Sequence, residues 1–270
     1  MSAFDDLTAF QRETQALGQI AGRLGWDQET MMPRGAAPQR GEEMAAIEAV
    51  LHARRSDPRV AEWLEQAVAP NEAGAAQLRE IRRSYDRTVK VPADLAKKIA
   101  QVTSVAQGQW AAARADEDVA AFVPVLEDVV ALKREEGQAL AAGGDVYDAM
   151  VQDYEHGMTG AAIAEMFDAM RPGLVELRAK VLEKPAPKGL TGTFDEAAQM
   201  KLTRKLAKQF GYDMSHGRVD KAVHPFCSGG GWMSGSPRGP ARAIRSTASI
   251  PPSMRSATRP MNRTSAVITC

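Results

Sequence analysis

The chain has 270 residues, enough for one large domain or two small ones, and its 44% hydrophobic and 25% charged residues are the ordinary balance of a globular protein. The formal charge is zero, yet all 34 acidic residues lie before Ser228, while residues 228–270 carry no Asp, Glu, Lys or Leu and only Arg as charge. The acidic body leaves no footprint for nucleic acid, and no run of eighteen apolar residues exists to cross a membrane.

In chain order, Phe4, Leu7, Phe10, Leu17, Ile20 and Leu24 recur at helical spacing and predict a helix over residues 3–24. Gly22 and Gly25 loosen its end, and Trp26–Pro33 reads as a polar, sulfur-rich loop. A second helix is expected from about Pro38 to Arg54, with Met44, Ile47, Val50 and Leu51 on one face. Asp57–Pro58 is a cap followed by proline in the first helical position, opening a short helix with Val60, Trp63 and Leu64. Pro70–Asn71 restarts the chain into a helix reaching Thr88, with Leu78, Ile81 and Tyr85 on one side and Arg79, Arg82, Arg83 and Arg87 on others. Pro92 opens a helix to about Ala113, and residues 116–118 cap a long one to about Ala142, stopped by Gly143–Gly144.

A short piece over residues 145–153 follows, then a turn ending in a cap at Thr159. The helix beyond carries Ile163, Met166, Phe167, Met170, Leu174, Leu177 and Val181 on one stripe, which reads as helix core, and Pro172 should kink it. Residues 184–192 form a loop. Thr193 to Glu196 has the pattern of a capping box, threonine at the cap and glutamate three residues on, and Gly211 is a C-terminal stop. Only residues 217–226 pass for a strand. The fold class is therefore all-α, an array of eight or nine helices over residues 1–227. Residues 228–270 are dense in Pro and Gly and poor in large apolar residues, too little to offset ordering entropy, so this tail is expected to be disordered.

Residue chemistry alone leaves function open. Of four histidines, His52, His156, His216 and His224, none pairs at i and i+4 with a glutamate between, and each reads as a hydrogen-bonded or surface imidazole. Cys227 follows His-Pro-Phe, but adjacency in sequence is not a dyad in space, and a buried structural thiol is expected; a thiol enzyme is the competing reading. Gly229–Gly231 lacks the Lys-Ser/Thr successor of a phosphate loop. Asp27 and Glu29 are a possible carboxylate pair within a capped loop. Two cysteines make no disulfide framework, which with an acidic N-terminus lacking an apolar leader fits the cytoplasm.

Three stretches carry a resemblance. They are Trp26 to Pro33 (WDQETMMP) with Pro38 to Met44; Tyr147 to Met150 with Asp153 to Thr159; and Ser215 to Asp220 leading into His224 to Cys227. In this order they resemble the carboxypeptidase Taq family of metallocarboxypeptidases over nearly all of residues 1–227. His156 stands where that family often has proline, and His216 where arginine is usual. Members are about twice this length. After the His-Pro-Phe motif they continue with Asp-x-Arg-Ile-Thr, then a His-Glu-x-x-His helix and a further glutamate that complete a zinc site.

The genetic code allows the tail to be read one base out of register. Trp232 and Met233 have single codons, TGG and ATG, and together force GAT, aspartate, in the frame built from each third base and the next two. Residues 231–239 then permit Val-Asp-Val-Arg-Ile-Thr-Thr-Arg. Arg245 to Ser265 permits Phe-Asp-Cys-Phe-Tyr-Ser-Thr-Ile-His-Glu-Val-Gly-His-Ala-Thr-Tyr-Glu-Gln-Asn-Ile. Two family motifs, in family order and one frame, point to a frameshift between about Cys227 and Trp232.

The resemblance implies an all-helical, deep-groove peptidase, usually dimeric, that removes single residues from peptide C-termini. It implies zinc or another divalent metal held by the helix histidines, with the adjacent glutamate as general base. His224, Pro225 and Phe226 are placed beside the substrate groove by the same resemblance. For the chain as written the expectation is different: no metal ligands of that kind, no bound metal, no catalytic residue and no hydrolysis. The alternative is a non-enzymatic helical interaction protein with an Arg-bearing disordered tail.

Overall fold

The structure is a computed structural model that describes residues 2–189 and 191–229, together with the backbone of Ser265–Thr269. Helices dominate: α1 (Ala3–Thr30), α2 (Ala37–Arg55), α3 (Pro58–Gln66), α4 (Glu72–Thr88), α5 (Ala93–Asp116), α6 (Val119–Ala141), α7 (Val146–Val151), α8 (Gly160–Leu182) and α9 (Glu196–Gln209). Three short strands follow, β1 (Arg218–Ala222), β2 (Cys227–Ser228) and β3 (Ser265–Thr269). The chain divides into two compact units, one of Met1–Ala21 and Pro33–Lys184, the other of Gly22–Met32 and Pro185–Cys270.

In the first unit, local chemistry sets the helix starts. Asp57, Asn71, Asp118, Asp145 and Thr159 each accept a backbone N–H from the first turn that follows, which satisfies a donor with no partner inside the helix. One core forms where Leu7 of α1 meets Val60 and Leu64 of α3, flanked by Phe10, Trp63, Leu78, Ile81 and Tyr85. Arg54 seals its edge. The guanidinium lies 4.0 Å from the centre of the Phe10 ring and donates to Phe10 O, Thr14 Oγ1 and Glu13 Oε2, each at 3.0 Å.

Helices α2 and α5 make the other main contact, and small residues let them approach closely. A Cβ placed on Gly41 would stand 2.8 Å from Val105 Cγ2, and one placed on Gly108 would stand 3.6 Å from Ala37 Cβ. The pairing of 37 with 108 and of 41 with 105 makes the two helices antiparallel. His52, buried at the far end of α2, meets Val91 O through Nε2 at 2.7 Å. From α5 the chain turns back through α6 and α7, each packed on its predecessor. The turns at Glu117 and Ala142 are left-handed, with φ of 56° and 49°.

The second unit holds α9 and the strands. Val219 of β1 is buried against Met200, Tyr212 and Met214. β3 lies between the other two strands, antiparallel to β1 with Val219 opposite Ile268, and parallel to β2.

Most expected elements are present, and the departures have physical reasons. Trp26–Thr30 is not a loop: α1 continues through it, with Thr30 Oγ1 donating to Trp26 O at 2.7 Å and Met31 N to Asp27 O at 2.8 Å. Interior glycines weaken a helix by only about 1 kcal/mol each, so Gly22 and Gly25 do not end it; Pro33, which has no N–H to give, lies just past its end. The cap of α9 is Asp195 rather than Thr193, its carboxylate accepting Ala198 N at 2.8 Å; a negative group suits the helix N-terminus better than a hydroxyl. Pro172 lies inside α8, as the sequence reading has it.

Two further departures matter for function. Ser265–Thr269 forms a strand that the sequence reading did not expect, Ser-Ala-Val-Ile-Thr being locally rich in β-branched residues; residues 230–264 of the tail lie outside the described residues. The α8 stripe is not core. No residue of α8 is buried, and Met166, Phe167, Met170, Leu174, Leu177 and Val181 are exposed. The pattern of a core face is there, but among the described residues only the start of α8 is covered.

Candidate functional site

The residues that the sequence singles out lie mostly in the second unit, around β1 and the bend after it. Gly211, with φ of 87°, turns the chain out of α9. Val219 then anchors β1, and its carbonyl accepts from Arg204 Nη2 at 3.3 Å. Lys221 pairs with Glu196 at the start of α9. Arg218 points the other way. It forks onto Asp220 through Nε at 2.6 Å and Nη2 at 2.9 Å, and lies 4.7 Å from the centre of the Trp26 ring. The hydrogen bond to Asp220 raises the Arg218 pKa further. Trp26 Nε1 is itself buried, with no acceptor among the described residues, an arrangement that costs about 1–3 kcal/mol.

Asp213, Ser215 and His216 stand together but are not a catalytic triad. Ser215 donates both its N–H and its hydroxyl to Asp213 Oδ1, at 2.8 and 2.6 Å, and His216 Nδ1 lies 2.8 Å from Asp213 Oδ2. Ser215 Oγ also lies 3.0 Å from His216 Nδ1, but the same nitrogen faces the Asp213 carboxylate and the hydroxyl is closest to that carboxylate, so all three groups converge on Asp213 rather than forming a serine–histidine–aspartate relay. These are the contacts of an Asx turn. They hold the Asp213 carboxyl down at about 2, chiefly through the Ser215 hydroxyl, then its N–H, then His216.

His224 and Pro225 are exposed and Phe226 half-buried, in the bend between β1 and β2. Cys227 is exposed rather than buried, in the two-residue strand β2. Asp27 and Glu29 do not form a facing pair, because two residues apart on a helix point to different sides. His52 is consumed by the Val91 carbonyl, and His156 is exposed beside a groove of about 380 Å³ lined by Arg79, Arg82, Arg83, Arg87 and Lys90. Arg79, Arg82, Arg83 and Arg87 are visible in the sequence as a basic set on α4 away from Leu78, Ile81 and Tyr85, and Lys90 follows just past the helix end. No sequence signal predicted the contact of Arg218 with Trp26, which brings together residues far apart in the chain.

The described residues do not fit a divalent metal. Among them no three His, Cys, Asp or Glu side chains are placed to share an ion. Beyond residue 229 the sequence offers no His, Asp or Glu at all. No described helix is long and apolar enough to cross a membrane.

Comparison with known proteins gives these positions a context. A family model described as carboxypeptidase Taq (M32) metallopeptidase matches residues 6–231. Thermostable carboxypeptidase 1 of Thermus thermophilus is 34% identical over 243 residues, covering 83% of this chain and 48% of the relative. Thermostable carboxypeptidase 1 of Pyrococcus furiosus is 25% identical, covering 82% of this chain and 46% of the relative. Among solved structures, Trypanosoma cruzi metallocarboxypeptidase 1 superposes with a TM-score of 0.65 at 29% identity, over 83% of this chain and 47% of that one. The chain thus spans about half the length of the curated relatives it matches.

Proposed function

The chain belongs to the carboxypeptidase Taq (M32) metallopeptidase family, and from that premise we propose that it is the N-terminal half of a zinc-dependent carboxypeptidase whose catalytic module lies in a reading frame the chain does not use. The observation that carries this is the agreement of two boundaries. The family match stops at residue 231, and the single-codon pair Trp232–Met233 begins the shifted-frame Asp-x-Arg-Ile-Thr. In this reading residues 1–227 are the family part and residues 228–270 an out-of-frame tail.

The intact polypeptide would bind peptides in its groove, with His224, Pro225 and Phe226 along it, release C-terminal residues and assemble as a homodimer. Its metal would come from the His-Glu-x-x-His helix of the other frame, polarising the scissile carbonyl. Among the described residues no three side chains are placed to share that metal, and no catalytic step is assigned to them. What they supply is scaffold: the turn at Asp213–His216 and the Arg218–Asp220 fork on Trp26 fix the backbone that leads into His224. The exposed Cys227 fits a reducing compartment, the cytoplasm.

Two measurements test the proposal. Sequencing the locus should spell histidine, glutamate and histidine at the shifted codons spanning Ser253–Thr258; any other codons there refute the frameshift. The purified 270-residue chain should carry no stoichiometric zinc and release no C-terminal residue from a blocked peptide. Zinc near one per chain with turnover would refute the assignment of this product as a half.

A further inference from the structure

The exposed stripe of α8 has a spacing that goes beyond amphipathicity. Ile163, Phe167, Met170, Leu174, Leu177 and Val181 alternate in steps of four and three, the repeat of a coiled-coil seam sustained over nearly three heptads. Met166, Val175 and Leu182, exposed beside this seam, widen the apolar face. Met170 and Leu174 are 46% and 51% exposed, and with Phe167 and Val175 they line an open depression of about 350 Å³ edged by Arg171 and Arg178. α8 is held at its start, where Gly160 donates to Asp148 Oδ1 at 2.6 Å and packs on the Tyr147 ring.

The residues beside the seam determine what can cover it. In the heptad register the flanking positions are Ala164, Met166, Arg171, Gly173, Arg178 and Lys180, so every flanking charge is positive. Arg171 and Lys180 reach Asp168 and Glu176 along the helix, but both pairs are solvent-exposed and screen little of the charge. Arg178 has no ion pair among the described residues. A second copy of α8, parallel or antiparallel, would set these cations against their own kind. Flanking charges of opposite sign are what such seams use to choose a partner.

We propose that α8 is a docking helix for an amphipathic helix with carboxylates beside its apolar seam, supplied by the polypeptide that follows this region in the full-length relatives. The chemistry of the partner is read from α8; only the identity of the supplier rests on the half-length reading above.

The test uses the full 270-residue chain and two labelled three-heptad peptides, alike except that one carries Glu and the other Lys at the flanking positions. The acidic peptide should bind about tenfold more tightly or better, with the preference inverted in an Arg171→Glu/Arg178→Glu/Lys180→Glu chain. Leu174→Glu/Leu177→Glu should abolish binding while leaving helical circular dichroism unchanged, since both side chains are exposed. The C-terminal half of the Thermus thermophilus relative, made as a separate chain, should displace the acidic peptide. Equal binding of the two peptides, no binding of either, or an unchanged preference in the charge-reversed chain overturns the proposal. So does self-association dissolved by Leu174→Glu/Leu177→Glu, which would make a second copy the occupant. Failure of the relative's half to displace the peptide overturns the supplier alone. None of these readouts needs metal, so they stay separate from the zinc and turnover measurements.

Discussion

Gly41→Ala offers a sharp test of the α2–α5 packing, because two effects of similar size oppose each other there. In a free helix the change is favourable by about 1 kcal/mol, since alanine loses less backbone entropy. In this structure the new methyl would stand 2.8 Å from Val105 Cγ2, 3.4 Å from Gln101 O and 3.5 Å from Gln101 Cγ. Carbon atoms in good contact sit at about 3.5–4.0 Å, so the first distance is short by about 0.7 Å or more. Val105 has little room to yield, because a β-branched side chain has one strongly preferred rotamer in a helix. Overpacking of this kind costs about 1–3 kcal/mol, so the net expectation is a loss of about 1 kcal/mol. In a Val105→Ala background the obstruction is gone and Gly41→Ala should stabilise by up to about 1 kcal/mol, a coupling of about 2 kcal/mol between the positions. Urea unfolding of the four variants, followed by helical circular dichroism, measures it. If Gly41→Ala stabilises the chain with Val105 present, or has the same effect in both backgrounds, the close approach of α2 and α5 is wrong.

Leu7→Ala should cost about 2–5 kcal/mol, because Leu7 is fully buried between α1 and α3, whereas Leu174→Ala, half exposed on α8, should cost well under 1 kcal/mol by the same measurement. Glu48 is held above the ordinary carboxylate range by burial, only partly offset by Arg55 and His52. Its ionised form is the disfavoured one, so stability should rise as pH falls from neutral through its raised pKa. Glu48→Gln should therefore stabilise the chain at pH 7, with the gain shrinking near pH 4; a gain that does not change with pH contradicts this. The Asp213 carboxyl, lowered from 3.8 to about 2, contributes its stability in full above the unfolded value and loses it as pH falls through about 2. Its titration by carboxyl NMR should shift back toward 3.8 in Ser215→Ala, and an unmoved midpoint would show that Ser215 is not the cause.

What was legible in the sequence depended on how local the deciding interaction is. Asp57–Pro58, Thr159 and Gly211 announce helix ends because a cap or a left-handed turn is settled within a few residues, and the structure has them as read. The Trp26–Thr30 segment misled because two glycines and a polar run resemble a loop, while the hydrogen bonds that extend α1 leave no compositional trace. At Asp195 two capping residues stood two positions apart, and spacing alone favoured the wrong one. The apolar stripe of α8 was visible, but the pattern is the same whether the partner lies in the chain or outside it, so its exposure was not. Around the candidate site, the positions of His224 to Cys227 came from family likeness. The fork of Arg218 on Trp26 joins positions nearly two hundred residues apart, and nothing in either segment foretells the other.

The antiparallel contact of α2 with α5 also bears on the order of folding. Helices α5, α6 and α7 are neighbours in sequence and meet through short turns, so their pairings form early. Helix α2 reaches α5 only after the chain has made the excursion through α3 and α4, and the His52–Val91 hydrogen bond closes that excursion across 39 residues. Loop closure of this kind grows only slowly with length, but it must be met before the contact returns anything. Substitutions at Gly41 or His52 should therefore act mainly on the unfolding rate, and those in the α5–α6 pair mainly on the folding rate. The histidine that the sequence reads as a hydrogen-bonded imidazole would then be a late fastening of the helical array.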